Sequence, residues 1–189
     1  MGVLLIADSG STKAEWCLLD GNKKKRVITT GLSPYFVSGQ QMQQVFKEVL
    51  YPKISQQLPD EIFFYGTGCS NPQNLKTIKA ALKSVFTKSA ISVDHDLIGA
   101  SRALCGHKKG IACILGTGSN SCFYNGKKIV KNSPGLGYVL GDEGSGAYLG
   151  KKVVQYFLYN TFEPDLMDRF NAKYHLSASE ILDSVYKQP

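Results

Sequence analysis

No CxxC pair, no GxxxxGK[ST] stretch and no apolar run of membrane-spanning length occurs in this sequence. Each absence removes a class of protein. The five cysteines, at 17, 69, 105, 113 and 122, stand singly, which argues against a disulfide framework and for reduced thiols in a cytoplasmic protein. Cys113 and Cys122 fall in expected core strands and read as small hydrophobes. A zinc site from His95, His107, His175 and these cysteines lacks any short ligand spacing on one element. The missing phosphate-loop signature removes the Walker-type nucleotide hydrolases. The missing apolar run removes a membrane-spanning helix. The N-terminus shows no basic region before its short apolar stretch meets Asp8, so no signal peptide is expected. Met1-Gly2 lacks the hydroxyl residue that myristoylation needs at position 6, where Ile6 stands.

Acidic residues are the minority: 15 against 22 basic ones, a net charge of +7. That balance favours anionic partners, among which nucleic acid, phosphate esters and acidic surfaces all qualify. The basic residues form short lysine clusters, not one aromatic-laced patch, and neither a nucleic-acid nor a membrane partner is expected. Lys23-Lys24-Lys25-Arg26 reads as a solvated edge strand protected by charge.

With 43% hydrophobic and 20% charged residues, the chain has ordinary globular composition and can bury a core. Its most informative feature is a repeated motif. The run Val3-Leu4-Leu5-Ile6-Ala7-Asp8 enters the turn Ser9-Gly10-Ser11-Thr12. Later, Ile111-Ala112-Cys113-Ile114-Leu115 enters Gly116-Thr117-Gly118-Ser119-Asn120. Each copy continues through a strand-like stretch to a turn dipeptide, Asp20-Gly21 or Asn125-Gly126, and returns on a lysine-rich strand. Two related domains are expected, divided at the Gly106–Gly110 link into 1–109 and 110–189.

The periodicity predicts strands over 3–7, 15–19 and 25–30, a helix over 40–57, a short buried strand over Glu61–Tyr65, and a helix over Leu75–Phe86. A strand over Ala90–Val93 and a helix over Leu97–Leu104 follow. The second copy repeats strand, hairpin and strand through Val130. Helices are then expected over Ala147–Leu158, Pro164–Tyr174 and Ala178–Tyr186, the last opened by a Ser177/Glu180 capping box. Strands alternating with helices make this an α/β fold. The second copy lacks counterparts of the first copy's last two strands, so an incomplete second domain is expected.

The chemistry concentrates in four stretches. In Asp8-Ser9-Gly10-Ser11-Thr12-Lys13, glycine permits close approach to a phosphate, hydroxyls and free amides can donate to it, and Asp8 can hold Mg²⁺ through water. The same stretch is also compatible with a plain hairpin turn. Gly116-Thr117-Gly118-Ser119-Asn120-Ser121 matches a dinucleotide fingerprint only at its first two glycines. Strand-like residues follow it, so a strand–turn–strand reading is better. In Asp94-His95-Asp96, Asp96 precedes Leu97 as a helix N-cap, alone or with a second role as general base. His95 reads as a packed or surface histidine. The stretch 135–146, with glycines at 135, 137, 141, 144 and 146, ends in Gly-Asp-Glu-Gly-Ser. Asp142 and Glu143 there start a helix and favour its dipole, or hydrogen-bond a polyhydroxylated ligand. The glycine density favours a site.

Taken together, Asp8–Lys13, Val93–Asp96, Leu115–Ser121 and Gly135–Gly146 resemble the sugar-kinase/Hsp70/actin superfamily. The likeness is strongest to N-acetylglucosamine kinases grouped with the BadF/BadG proteins. The resemblance implies two duplicated ribonuclease H-like (actin-like ATPase) domains with mixed central sheets, and ATP-dependent phosphorylation of an amino-sugar hydroxyl with Mg²⁺. It implies that Asp96 is the base and also touches the sugar. Asp8, Gly10, Ser11, Thr12 and Lys13 would form the first phosphate loop, with Asp8 serving the metal. Gly116, Thr117, Gly118 and Ser119 would form the second, with Thr117 and Gly118 also on the sugar. Gly137 and Asp142 would hold sugar hydroxyls. Ser33 or Tyr35 stands where the family has a substrate-binding Asn. Such kinases continue with adenosine-binding helices beyond the equivalent of Pro189. A cytoplasmic homodimer acting on a small sugar is expected. The alternatives are an ATPase activator of the acyl-CoA dehydratase type and a non-catalytic sugar-binding member.

Overall fold

In the computed structural model, which describes residues 2–133 and 135–187, the chain opens with three strands joined by tight turns. These are β1 (Leu4–Ser9), β2 (Lys13–Asp20) and β3 (Lys23–Thr30). Along β1 the residues alternate: Leu5, Ala7 and Ser9 are buried, as a half-covered strand requires. β2 pairs antiparallel with both neighbours, with Asp8 opposite Glu15 and Asp20 opposite Lys23. Gly21 supplies the left-handed backbone (φ 53°) that the two-residue turn demands. The exposed lysines of β3 form the sheet edge, as their charge suggests.

The chain then turns helical. Ser38 caps α1 (Gly39–Gln44) with a full capping box completed by Gln41. A π-helical segment, Val45–Leu50, follows, and α2 (Tyr51–Ile54) completes the run. The sequence predicts one uninterrupted helix here; the widened turn has a local cause. Pro52 cannot donate to Glu48, and its ring would crowd that carbonyl. The Tyr51 N–H reaches back to Phe46 O instead, opening the turn ahead of the proline.

β4 (Glu61–Gly66), α3 (Pro72–Val85), β5 (Ala90–His95) and α4 (Asp96–Cys105) complete a five-stranded mixed sheet in the order β3-β2-β1-β4-β5. β1, β4 and β5 run parallel, so Ser9, Gly66 and His95 end at one edge. Trp16 anchors the core, its ring 5.7 Å from Phe46 and 5.8 Å from Phe64 in edge-on and tilted contacts. Leu5, Leu32, Met42, Leu50, Ile62, Ile78 and Leu82 close around it, all fully buried. α4 lies close against β4: a Cβ on Gly99 would stand 2.7 Å from Tyr65 Cγ.

A second, three-stranded sheet in the order β6-β7-β8 comprises β6 (Gly110–Leu115), β7 (Ser119–Tyr124) and β8 (Ile129–Asn132). Its Asn125-Gly126 turn follows the expected chemistry: Asn125 Oδ1 accepts from the Lys127 and Lys128 amides at 3.0 and 2.9 Å. A Cβ on Gly126 would stand 2.3 Å from His107 O, so only glycine fits. Cys122 is buried beside Ala112 and Leu97. Cys113, expected in the core, is exposed instead: it follows buried Ala112 on β6, and adjacent strand residues face opposite ways.

The helices α5 (Gly137–Leu140), α6 (Gly146–Leu158), α7 (Pro164–Tyr174) and α8 (Ala178–Lys187) follow. The short α5 has no counterpart in the sequence reading. Compact units comprise 1–114 with 121–133, and 115–120 with 134–189. This grouping concerns packing, whereas the expected halves 1–109 and 110–189 concern duplication. No helix among the described residues is long and apolar enough to cross a membrane.

Candidate active site

In the first unit, the turn after β1 is fixed by its own backbone. The Gly10 amide donates to Lys13 O at 2.9 Å, and Gly31 N donates to Thr12 O at 3.0 Å. Gly31 lies so close beneath the turn that a Cβ would meet Ser11 O at 2.2 Å. Ser9 ties the turn to two neighbours. Its buried hydroxyl accepts from Leu32 N at 3.2 Å, and its carbonyl accepts from Thr67 N at 2.9 Å. The exposed side chains of Ser11 and Thr12 are left facing solvent. Lys13, expected on phosphate, lies 2.7 Å from Glu15. Both are exposed, so this contact is weak and exchangeable.

The loop 31–37 comes to the same edge. The Ser33 carbonyl accepts from Phe36 N and Val37 N, both at 3.0 Å. The Ser33 hydroxyl is buried and has no hydrogen-bond partner, an unusual state for a buried hydroxyl. Tyr35 is exposed, its ring against the turn after β4, where a Cβ on Gly68 would meet it at 2.9 Å.

Asp8 at the end of β1 and Asp96 at the start of α4 share one electrostatic field. Asp8 has its carboxyl pushed above the usual carboxylate range, first by partial loss of water and then by the negative charges of Asp96 and Glu15. Burial pushes the Cys69 thiol up to about 12, with Asp96 adding to the effect. The sequence reading makes Asp96 the N-cap of α4. The structure corrects this: His95, with extended backbone (φ −67°, ψ 143°), is the cap, and Asp96 is the first helical residue. Asp96 Oδ1 accepts from Leu97 N at 2.8 Å and lies 2.9 Å from His95 Nδ1. Alongside, Arg102 donates to Tyr65 Oη at 2.8 Å and stands 3.6 Å from Asp94.

The second unit has its own polar cluster. Gly116 N donates to Gly118 O at 2.9 Å, and Ser119 N donates to Asp142 Oδ1 at 3.1 Å. The start of α6 is bonded to the same turn: Gly146 N to Gly116 O at 2.8 Å, and Ala147 N to Thr117 O at 3.1 Å. Asp142 and Glu143 do not begin the helix as expected. Ser145 caps α6, accepting from Tyr148 N at 3.1 Å, while Asp142 sits in the left-handed region at φ 59°. A side chain rarely adopts that conformation without a compensating contact. Here the contact is to the second turn. Gly137, with φ 73°, opens α5. Thr117, Gly118, Ser119 and Asp142 are therefore brought together within this unit, as Asp8, Ser33, Tyr35 and Asp96 are gathered at the parallel-strand edge of the first.

The sequence reading gives no site role to His95, which it takes as a packed or surface histidine, or to Gly31, which fixes the first turn from behind and has no chemical signature of its own. Ser9, read there as part of the phosphate turn, instead anchors that turn to Leu32 and Thr67. The acid–histidine–acid triplet 94–96 was the one available signal for His95.

No protein-family model matches the chain, and no curated protein matches it. Solved structures do. MreB5 of Spiroplasma citri, solved with ADP bound, superimposes with a TM-score of 0.60 at 10% identity, covering 85% of this chain and 58% of that one. A candidate N-acetylglucosamine kinase of Chromobacterium violaceum gives 0.63 at 20% identity, covering 91% and 64%. These likenesses define the fold as that of the actin-like ATPases, mixed α/β with a mixed central sheet. A candidate N-acetylglucosamine kinase of Porphyromonas gingivalis gives a TM-score of 0.92 at 40% identity, covering 98% of this chain and 67% of that one. The chain belongs to the N-acetylglucosamine kinase-like proteins of the sugar-kinase/Hsp70/actin superfamily. It spans about two thirds of the length of these two kinase-like relatives.

Proposed function

We propose that the protein takes part in ATP-dependent phosphorylation of a sugar hydroxyl, with N-acetylglucosamine or a related amino sugar as acceptor. The observation that carries this reading is the pair Asp8 and Asp96, two carboxylates at the carboxyl edge of parallel strands whose charges act on one another. Open α/β sheets bind ligands at that edge, and 40% identity to a candidate N-acetylglucosamine kinase supports the same assignment.

The residues present fit a magnesium nucleotide. Among the described residues no cluster of three or more His, Cys, Asp or Glu could form a dedicated metal cage. Mg²⁺ commonly needs only one or two carboxylates, its remaining positions going to water and substrate phosphate. Asp8 would supply that carboxylate; lost hydration first, and then the charges of Asp96 and Glu15, raise its affinity for protons, and a bound cation would offset that negative charge. Bound Mg–ATP would supply the phosphoryl group and the screening of its charge. Ser11 and Thr12 would hold phosphate oxygens by hydroxyl and amide. Gly10 keeps that turn tight, and Lys13 would exchange Glu15 for phosphate. Gly116, Thr117, Gly118 and Ser119 form the second phosphate-binding turn, with Asp142 as its brace.

Asp96 takes the proton from the sugar hydroxyl. Ser33, with its unpartnered buried hydroxyl, holds a polar substituent of the sugar, and Tyr35 offers a ring for its apolar face. Thr117, Gly118, Gly137 and Asp142 complete the sugar contacts. The wider reading follows the same family: a cytoplasmic homodimer of the BadF/BadG type, with halves 1–109 and 110–189 related by duplication.

The test is sugar-dependent ADP release across a panel of hexoses and amino sugars. Asp96→Asn is expected to lower kcat at least ~10²-fold with little change in KM. A near-wild-type rate would remove Asp96 from this role. Nucleotide hydrolysis indifferent to every sugar would instead favour an ATPase activator.

A further inference from the structure

The Asp96 carboxylate is not held by the helix alone. Its Oδ1 lies 2.8 Å from Leu97 N and 2.9 Å from His95 Nδ1. Leu97 N is also 3.2 Å from His95 Nδ1, so the nitrogen either accepts from that amide or donates to the carboxylate. Electrostatics decides between them. An unprotonated Nδ1 would turn its lone pair toward a negatively charged oxygen at 2.9 Å, whereas a protonated one makes a charge-assisted bond. The amide, being nearer to the carboxylate, bonds there. The proton is thus assigned to Nδ1. Oδ1 then receives two donors.

Resting on the proposed phosphorylation, we infer that His95 is a positioning residue for Asp96: its Nδ1–H and the Leu97 amide together pin Oδ1, leaving Oδ2 as the oxygen that accepts the substrate proton. The arrangement resembles in logic any carboxylate–imidazole couple in which one partner fixes the other's orientation. Here the usual order is reversed, with imidazole orienting and carboxylate reacting. The steric setting favours rigidity. Both side chains are about one-fifth exposed, 21% for His95 and 19% for Asp96, and the extended backbone of His95 is locked by its place at the end of β5 and the start of α4.

The couple also has a charge state. His95 is held above the ordinary imidazole value, first by its bond to Asp96 and then by the charges of Asp96 and Asp94, against the opposing effect of burial. Asp8 on β1 and Cys69 after β4 feel the same Asp96 charge. The Nδ1–H is present in both the charged imidazolium and the neutral Nδ1–H tautomer, so the couple orients Asp96 in either charge state of His95.

Two measurements on the full chain test this, and the first does not depend on turnover. The three histidines are followed by NMR titration, with His95 identified by its loss in His95→Asn. In wild type His95 is expected to titrate above the ordinary imidazole value, and in Asp96→Asn to fall toward it. A His95 signal unmoved by Asp96→Asn would overturn the couple even in a correctly folded, active protein. The second measurement is sugar phosphorylation. His95→Phe is expected to lose about 10-fold or more in kcat with KM little changed. His95→Asn places an amide N–H near the Nδ1 position, and it should recover much of that rate with KM again little changed. Equal rates in wild type and His95→Phe would overturn the positioning role. Absence of sugar phosphorylation in wild type would instead refute the proposed function, while the titration still decides whether the couple exists.

Discussion

Asp8–Lys13 is carried on a sheet packed over a large aromatic and aliphatic core, with Trp16, Phe46 and Phe64 at its centre. The turn Gly116–Asn120 is held chiefly by polar bonds within its own unit, from Gly118, Asp142, Gly146 and Ala147. The helices of that unit have a smaller apolar core, an aromatic cluster of Phe157, Phe162, Phe170 and Tyr174 with the buried Ile181, while Leu149, Val153, Tyr156, Leu166 and Val185 are each 42% exposed or more. Two turns with similar sequences therefore owe their shape to different forces. The first inherits rigidity from hydrophobic burial, which is strong and non-directional. The second depends on a few directional contacts, each modest in net worth and easily lost.

The sharpest way to break this contrast is to truncate one residue in each region. Phe46→Ala is expected to destabilise the first unit by about 3–5 kcal/mol, because the surrounding core cannot collapse to fill the space. The readout is the urea midpoint followed by fluorescence of Trp16, the only tryptophan in the chain. Leu149→Ala on α6, where the side chain is 55% exposed, should change stability by no more than ~0.5 kcal/mol. Comparable losses at the two positions would show that the exposed face of α6 carries hydrophobic support comparable to the first unit's core.

A finer comparison uses the turn glycines. A Cβ on Gly118 would sit 2.9 Å from Asp142 Oδ2, whereas one on Gly10 meets nothing nearer than Lys13 O at 3.6 Å. Gly118→Ala should displace Asp142 and free the Ser119 amide, with a loss of ~1–3 kcal/mol for overpacking. Hydrogen exchange at Ser119 would report it as lost protection. Gly10→Ala should leave exchange around its own turn unchanged. If both alanines are tolerated alike, Asp142 is not the brace of the second turn.

Much of this architecture was legible in the residues. The alternation in β1, the Asp20-Gly21 and Asn125-Gly126 turns and the Ser177/Glu180 box each carry local chemistry strong enough to dictate local structure. The failures share a different origin. The π-helical turn before Pro52 reflects a backbone clash that apolar periodicity does not register. The exposure of Cys113 depends on which face of β6 is covered, a property of the tertiary fold. Asp142 is expected in the site from the sequence, but its left-handed backbone and its bond to Ser119 involve a partner 23 positions away. His95 was passed over because a lone histidine carries little signal until its distance to Asp96 is known.

The His95–Asp96 couple also predicts a pH window for stability. A histidine raised above its ordinary 6.5 stabilises the fold fully below that value, and the contribution fades as pH rises through the raised one. The stability advantage of wild type over His95→Asn should therefore shrink over that interval. An advantage that grows with pH would mean that His95 is not held in its charged form by Asp96.

The smallest expected effect concerns Asp8, and its pH dependence runs in the same direction. Its carboxyl is raised above 3.8 by lost hydration and by the charges of Asp96 and Glu15, so the folded chain holds this proton more tightly than the unfolded one. Stability from this group is present below 3.8 and lost as pH rises through the elevated value, leaving ionised Asp8 as a standing penalty at neutral pH. Asp8→Asn should accordingly raise Tm slightly at pH 7, with the gain vanishing in acid where the wild-type carboxyl is already neutral. A structural carboxylate would behave in the contrary manner, with its removal lowering Tm. A group that weakens the fold while standing beside a second carboxylate is better accounted for by what it binds than by what it supports. Added Mg²⁺ and nucleotide should then stabilise wild type more than Asp8→Asn, and equal stabilisation of the two would remove Asp8 from the metal site.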